Sequence, residues 1–254
     1  MVSDMIRNKN IIFKGVILVY TNKMEDVSID IVKVEGSIYD VNVIQNDEYI
    51  GPLIARGQEW DGWMRRDVRL YHKPGTDILD IGANIGYNSL IFSDYGPVYS
   101  FEPVYYEIVK LNAEQNQLRH PIYVAPCALS DEQKVTDMYI PSTGCQSNTH
   151  INYGGTSLYE HEGKYKDGPV VKVTCQKLDD VYTGVPSFIK IDVEGHELQV
   201  LKGSEKKIRS HKPTILIEIH GFSEDNEVHT FIKSMGYGEP EIRPEKMYLY
   251  KSES

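Results

Sequence analysis

The chain is poor in the features that mark several protein classes. Its three cysteines, Cys127, Cys145 and Cys175, are widely spaced and form no C-x-x-C pair. That supports neither a disulfide framework nor a zinc knuckle. Reduced thiols in an intracellular compartment suit such usage. The N-terminus has no apolar h-region and no run approaches the length of a membrane span, so a cytoplasmic location is expected. No basic run exceeds two residues, as at Lys206-Lys207, and the formal net charge is −10. A broad phosphate-binding face is therefore not expected, which argues against a nucleic-acid partner. The G-x-G-x-x-G dinucleotide fingerprint is missing, as are internal repeats and low-complexity tracts.

What is present is ordinary globular material, 254 residues with 41% hydrophobic and 25% charged content. That is enough for one large domain with a full core. From about residue 60 the patterns alternate. A helix is expected over Trp60–His72, ended by Pro74-Gly75. Strands follow at Asp77–Ile81, Val98–Phe101, Ile122–Ala125, Ser187–Asp192 and Thr214–Ile219, with helices at Tyr87–Tyr95, Val104–Leu118, His196–Ser210 and Asp225–Met235. A hairpin of Tyr237–Ile242 and Met247–Tyr250 closes the chain. Such alternation predicts an α/β fold with a doubly wound, largely parallel sheet and ligands at the carboxyl ends of its strands. Strand patterns at Ile11–Tyr20, Val27–Val34 and Ile38–Ile44 predict an antiparallel β extension over residues 1–47, ahead of the main domain at 48–254. It could cover a sheet edge, touch substrate or support a homodimer.

The most informative segment is Asp77–Gly86, DILDIGANIG. It reads as a strand, a glycine turn and a helix start, with Asp80 at the strand end and Gly82 and Gly86 allowing close approach to a ligand. An acid beside the turn would repel a pyrophosphate, yet suits the ammonium and sulfonium of S-adenosylmethionine (SAM). Glu102-Pro103 follows the second strand about 20 residues after Gly82, the usual place of a ribose-holding acid. Pro103 is expected to open the next helix.

The segment Phe188–His196, FIKIDVEGH, places Lys190, Asp192 and Glu194 on one face of a buried strand. Three charges there do not serve packing unless they are paired or functional. Glu218 and His220 alternate with apolar residues at the end of the next strand. The irregular stretch from Pro141 to Gly168 contains GGTSL at 154–158, and long loops of this kind are usually functional or disordered. Gly155, Thr156, Ser157 and His196 are expected on the acceptor side of the site.

In order, the motifs DIGANIG, FEP, ALSD, GGTSL, KIDVEGHE, LKG and LIEIH resemble the FkbM family of SAM-dependent methyltransferases, over about residues 58–235. The resemblance implies a class I methyltransferase sheet with its last strand antiparallel, and O-methylation of hydroxyls on sugars or natural products. It assigns Asp80 and the turn from Gly82 through Ala83 and Asn84 to Gly86 to the methionine end of SAM. It assigns Glu102, next to Pro103, to the ribose. Ala128, Leu129, Ser130 and Asp131 would border the adenine, with the Asp131 carboxylate accepting from its amine. Asp192 would lie near the transferred methyl.

A sugar hydroxyl needs a base during attack or a cation that lowers its pKa. Asp192, Glu194, His196, Glu218 and His220 are the groups available. Mg²⁺ would want several oxygens, of which Asp192 and Glu218 could provide two. A base needs no ligand set, and catalysis without a metal is the expectation. A carbohydrate hydroxyl is the expected acceptor. A small natural product, a non-catalytic SAM-fold binding module and a nicotinamide oxidoreductase are the alternatives, the last disfavoured by the acid at position 80.

Overall fold

The computed structural model describes residues 18–20, 29–36, 38–142, 150–160 and 168–252. The expected strand residues 11–17, Val27 and Ser28, and Cys145, lie outside that set.

Strands β1 (Leu18–Tyr20), β2 (Ile29–Val34) and β3 (Val41–Ile44) form an antiparallel sheet in that order. All four residues of β3 are buried, including Asn42. After β3 come two short helices, α1 (Ile50–Ala55) and α2 (Met64–Tyr71). Asp47 caps α1, accepting the backbone N–H groups of Tyr49, Ile50 and Gly51. The helix expected from Trp60 starts four residues later, because Asp61 adopts φ +49° and breaks the helical path.

The main domain continues with β4 (Asp77–Ile81), α3 (Tyr87–Phe92), β5 (Val98–Phe101), α4 (Tyr106–Gln115) and β6 (Ile122–Ala125). A second small sheet comes next, from β7 (Ala128–Leu129), β8 (Lys134–Tyr139) and β9 (Val170–Gln176). Then follow α5 (Leu178–Val181), β10 (Pro186–Ile191), α6 (Glu197–Gly203), α7 (Glu205–His211), β11 (Thr214–Glu218), α8 (Glu227–Ser234), β12 (Glu241–Ile242) and β13 (Met247–Tyr250).

The large sheet has the order β12-β13-β11-β10-β4-β5-β6. Its pairs from β11 to β6 are parallel, and β13 runs antiparallel between β11 and β12. This is the doubly wound sheet with an antiparallel last strand that the sequence predicts. Alternate residues feed two cores, as a sheet covered on both faces requires. Leu79, Ile81, Ile189, Ile191, Ile215 and Ile217 pack on one side, and Ile78, Phe188, Leu216 and Leu249 on the other. The N-terminal sheet docks on α4. Asn112 Oδ1 accepts from the backbone N–H and the amide of Asn42, and its Nδ2 donates to the carbonyls of Asn42 and Ile85. That network explains how a polar side chain sits buried in β3.

Further expected boundaries move: the hairpin strand expected from Tyr237 forms only at Glu241–Ile242. Pro103 does not open α4, which starts at Tyr106, because Glu102 accepts the N–H groups of Val104 and Tyr105 and makes a turn first. The helix expected over His196–Ser210 is two helices broken at Ser204. Among the described residues, no helix is long and apolar enough to cross a membrane.

Candidate active site

The site lies at the carboxyl ends of β4, β5, β10 and β11. It starts with the turn after β4. Gly82 takes φ +78°, and a Cβ there would lie 1.9 Å from the Asp192 carbonyl oxygen. The turn thus passes against the end of β10 with no room for a side chain, leaving the backbone bare to the cleft. Gly86 also has positive φ, but a Cβ there would meet Val109 of α4 at 2.8 Å. Its role is helix packing, and it does not line the cleft.

Asp80 is fully buried and does not reach the cleft either. Its Oδ2 accepts from Ser89 Oγ at 2.6 Å, and Oδ1 lies 3.5 Å from Lys190 Nζ. Lys190 also donates to the Gly82 carbonyl at 3.0 Å and pairs with Asp192 at 3.3 Å. Burial works against the ammonium, but Asp192 and Asp80 outweigh it and hold Lys190 charged. Lys190 therefore ties the buried acid, the glycine turn and the half-buried Asp192 into one unit. Asp80 supports the site from beneath.

The cleft has a narrow and a wide part, which share Gly82, Asn84, Gly154, Asp192 and Glu194 as lining. The narrow part, about 50 Å³, is bounded by Phe101, Glu102, Pro103, Ala128 and Leu129. Glu102 is 5% exposed and accepts three backbone N–H groups, from Asn84, Val104 and Tyr105, at 2.8–3.0 Å. Burial pushes its carboxyl up to about 7, against the pull of those donors. A carboxylate offers about four acceptor positions, so one is left for a ligand hydroxyl.

Ser130 is fully buried, with Oγ near Asp131 Oδ1 and 3.0 Å from His196 Nε2. Asp131 lines a separate surface depression, so neither Ser130 nor Asp131 borders the narrow part. His196 does border it, rather than the wide part, and Nδ1 meets Tyr159 Oη at 2.9 Å. Burial lowers its pKa to about 4 and keeps the ring neutral. The described part of the irregular loop lies over the narrow part through Tyr153, Gly154, Thr156 and Leu158. Ser157 Oγ donates to the Glu194 carbonyl at 2.8 Å, and Thr156 Oγ1 meets Tyr105 Oη at 2.7 Å. Gly155 is buried and lines neither part, and residues 143–149 and 161–167 lie outside the described set.

The wide part measures about 370 Å³ and includes Ala83, Asn84, Asp192, Glu194 and Glu218. Burial, with Asp192, Glu194 and Glu197 nearby, pushes Glu218 up to about 9. Its Oε2 lies 3.0 Å from Nε2 of the half-exposed His220, which itself stands outside the lining. The wall also carries Asp61, Asn88 and Glu245, which the sequence did not single out. Asp61 rises to about 7 through burial and the Glu245 charge. The Asp61-Gly62 pair is a turn signal inside an apparently helical run and was the available clue. Glu194, Glu218 and His220 each bring a ligand atom within 4.8 Å of one another, a set able to hold a cation.

These raised carboxyls set a pH dependence. The folded chain holds protons on Glu102 and Glu218 up to about 7 and 9, well above the usual carboxylate range. Their contribution to stability is complete below the unfolded value and is lost as pH rises through those two values. The ligand-free protein should therefore melt lower as pH is raised from mildly acid to alkaline, each 1 kcal/mol lost being worth about 2–4 °C. Glu218→Gln should flatten the alkaline half of that slope. An unchanged slope would place the shifted proton elsewhere.

A parallel sheet with an antiparallel strand slotted beside its edge, a bare glycine turn over an acid, and a buried acid after the next strand define the SAM-dependent methyltransferase class. The chain belongs to the FkbM methyltransferase family, whose domain, described as the methyltransferase FkbM domain, matches residues 80–238. It is similar to the hexuronic acid methyltransferase AglP of Haloferax volcanii, 29% identical over 65% of this chain and 69% of that protein. It is also similar to the methyltransferase sdnD of Sordaria araneosa, 28% identical over 51% of this chain and 61% of that one. Among solved structures, the FkbM methyltransferase of Methylobacillus flagellatus KT aligns with a TM-score of 0.48 at 21% identity, over 69% of this chain and 43% of that chain. The Pyrococcus abyssi tRNA (uracil-54, C5)-methyltransferase, solved with S-adenosyl-L-homocysteine, aligns with a TM-score of 0.43 at 12% identity, over 87% and 42%.

Proposed function

We propose that this protein transfers a methyl group from SAM to a hydroxyl of a carbohydrate. The observation that carries this reading is the position of Asp192, an ion-paired carboxylate lining both parts of one continuous cleft. The family implies SAM, and the residues fit it. Gly82 lets the turn close against the end of β10 while lining the cleft, and Glu102 keeps one acceptor position at the narrow part. In this reading Phe101, Ala128, Leu129 and His196 hold the adenosine side, and Glu102 holds the ribose. SAM supplies an electrophilic methyl group on a leaving group that departs as a neutral thioether.

The chain's residues then need only orient the acceptor oxygen and take its proton. Orientation alone is worth about 7–11 kcal/mol in favourable cases. Asp192 is the proposed base, at the boundary between the two parts of the cleft. Lys190 beneath it pairs with the carboxylate at 3.3 Å and holds it in position. Glu218 holds its own proton at neutral pH, so it serves better as a hydrogen-bond donor to the acceptor than as the first base. The name of the Haloferax relative supports a sugar acceptor for this chain as well.

The reading is tested by methyl transfer from labelled SAM to a panel of free sugars, nucleotide sugars and oligosaccharides, with and without EDTA. Labelled product with a new O–CH₃ bond supports it. Binding of SAM without turnover on any sugar contradicts it. A narrower test is Glu102→Gln. Losing a charge-assisted hydrogen bond should weaken SAM and S-adenosylhomocysteine by about 1.5–3 kcal/mol. Unchanged affinity in a folded variant would move the ribose elsewhere.

A further inference from the structure

The wide part of the cleft is a pocket of hydrogen-bond acceptors. Its wall carries Asp61, Asp192, Glu194, Glu218 and Glu245, together with the α1-capping Asp47, and Lys190 is the one Lys or Arg among its lining residues. Lys190 is already engaged by Asp192, Asp80 and the Gly82 carbonyl. Asn88 adds a neutral acceptor. It is 6% exposed, and its Nδ2 donates to Asp61 Oδ2 at 3.2 Å. Once Asp61 is ionised, above about pH 7, that contact fixes the amide orientation, because a carboxylate accepts only. Asn88 Oδ1 is then left buried with no hydrogen-bond partner, and so is Asn84 Oδ1 on the same lining. Buried acceptors are ordinarily paired, so these point to a ligand rich in donors.

Charge narrows the class further. SAM brings a net charge of one positive unit, and Lys190 brings another, against six acidic side chains on the wall, of which Glu218 holds its proton at neutral pH. A uronate or a sugar phosphate would add negative charge where acidic side chains already predominate, at an electrostatic cost. A neutral polyol would meet the acceptors with hydroxyl donors but leave the charge in place. A protonated amine meets both.

Resting on the reading of sugar O-methylation above, we propose that the acceptor is an amino sugar whose ammonium is received by Asp61 and Asn88 Oδ1 while a nearby hydroxyl is methylated. The methylated oxygen faces Asp192, and the amine lies against the opposite wall, which Glu245 extends. The pocket selects for the amine and against carboxylate-bearing sugars. Selection comes from Asp61 and Asn88, which are separate from the proton-accepting group.

The test uses matched sets near neutral pH: glucosamine, glucose and glucuronate, and galactosamine, galactose and galacturonate. Each is offered with labelled SAM for turnover, and to the protein loaded with S-adenosylhomocysteine for binding. The amino sugars should exceed the neutral sugars by about tenfold or more in kcat/KM, the worth of one charge-assisted hydrogen bond, with the uronates lowest. Asp61→Asn should bring the amino-to-neutral ratio close to one, in binding as well as in turnover. Uronates or neutral sugars bound as well as the amino sugars would overturn the proposal. So would uronate turnover that appears with Mg²⁺ and vanishes with EDTA, which would put a cation at Glu218 and His220 in place of the amine. If SAM itself fails to bind, the functional reading falls first and takes this proposal with it. If SAM binds and no amino sugar does, the proposal alone falls.

Discussion

Asp192→Asn is expected to lower methyl transfer by about 10²–10⁴-fold, the usual worth of a general base, while SAM affinity changes little. Asp192 directly follows β10, donates its backbone N–H to the Ile81 carbonyl, and lines both parts of the cleft. The amide keeps its shape and removes the charge that would take the acceptor proton. Lys190 retains Asp80 and the Gly82 carbonyl as partners, so the glycine turn should hold. The discriminating readout is the split between turnover and binding. A fall in kcat with an unchanged SAM dissociation constant and melting temperature places Asp192 in the chemistry. A parallel loss of SAM affinity would place it in cofactor binding. Full turnover would move the base to Glu194 or Glu218.

The second large effect is expected at Gly82. An alanine there puts its Cβ 1.9 Å from the Asp192 carbonyl oxygen and 3.2 Å from Val193 Cγ1, on a backbone with φ +78°. Left-handed strain alone costs about 1–3 kcal/mol. The clash adds to it, and it is with backbone, which cannot swing away as a flexible side chain would. Relief requires the turn to lift off β10, which would separate Lys190 from the Gly82 carbonyl and deform the cradle. Gly82→Ala should therefore abolish SAM binding and lower stability beyond the strain term. Gly57→Ala is the control, with φ +75° and nothing within 4 Å of the added Cβ. It should show the strain cost alone, with SAM binding intact. Equal behaviour of the two variants in both assays would deny the close approach a role.

Much of this architecture was legible in the chain. The five parallel strands were bounded within a residue or so, because each is a short apolar run bracketed by Gly, Pro or charge, as at Asp77–Ile81. The pairing of Lys190 with a carboxylate beneath it also follows from three charges on one buried strand. Other parts were hidden. β8 exposes Val135 at 68% and mixes polar with apolar residues, so its pattern is weak. β9 alternates cleanly, with Val171, Val173 and Cys175 buried, and a stricter count of period-two matches would have found it. The burial of Asp80 was not readable from motif spacing. A strand-end acid faces the cleft or the core according to where its neighbours point, and Ser89 and Lys190 come from other elements. His196 was placed with the acceptor for its position after Asp192, but the turn through Glu194 at φ +52° carries it to the other side. Asp61, Asn88 and Glu245 reach the wide part from three separate segments, and no local pattern connects them.

The central claim is that one cleft holds SAM on its narrow side and a sugar hydroxyl on its wide side, with Asp192 between them. The most direct measurement uses SAM carrying a ¹³C-labelled methyl group, an amino sugar acceptor and heteronuclear NMR of the product. The account predicts a new labelled methyl bonded to a hydroxyl oxygen of the sugar, formed by the wild-type protein and strongly reduced in Asp192→Asn. A labelled methyl on the amine nitrogen, or SAM bound with no labelled product from any sugar, would contradict it.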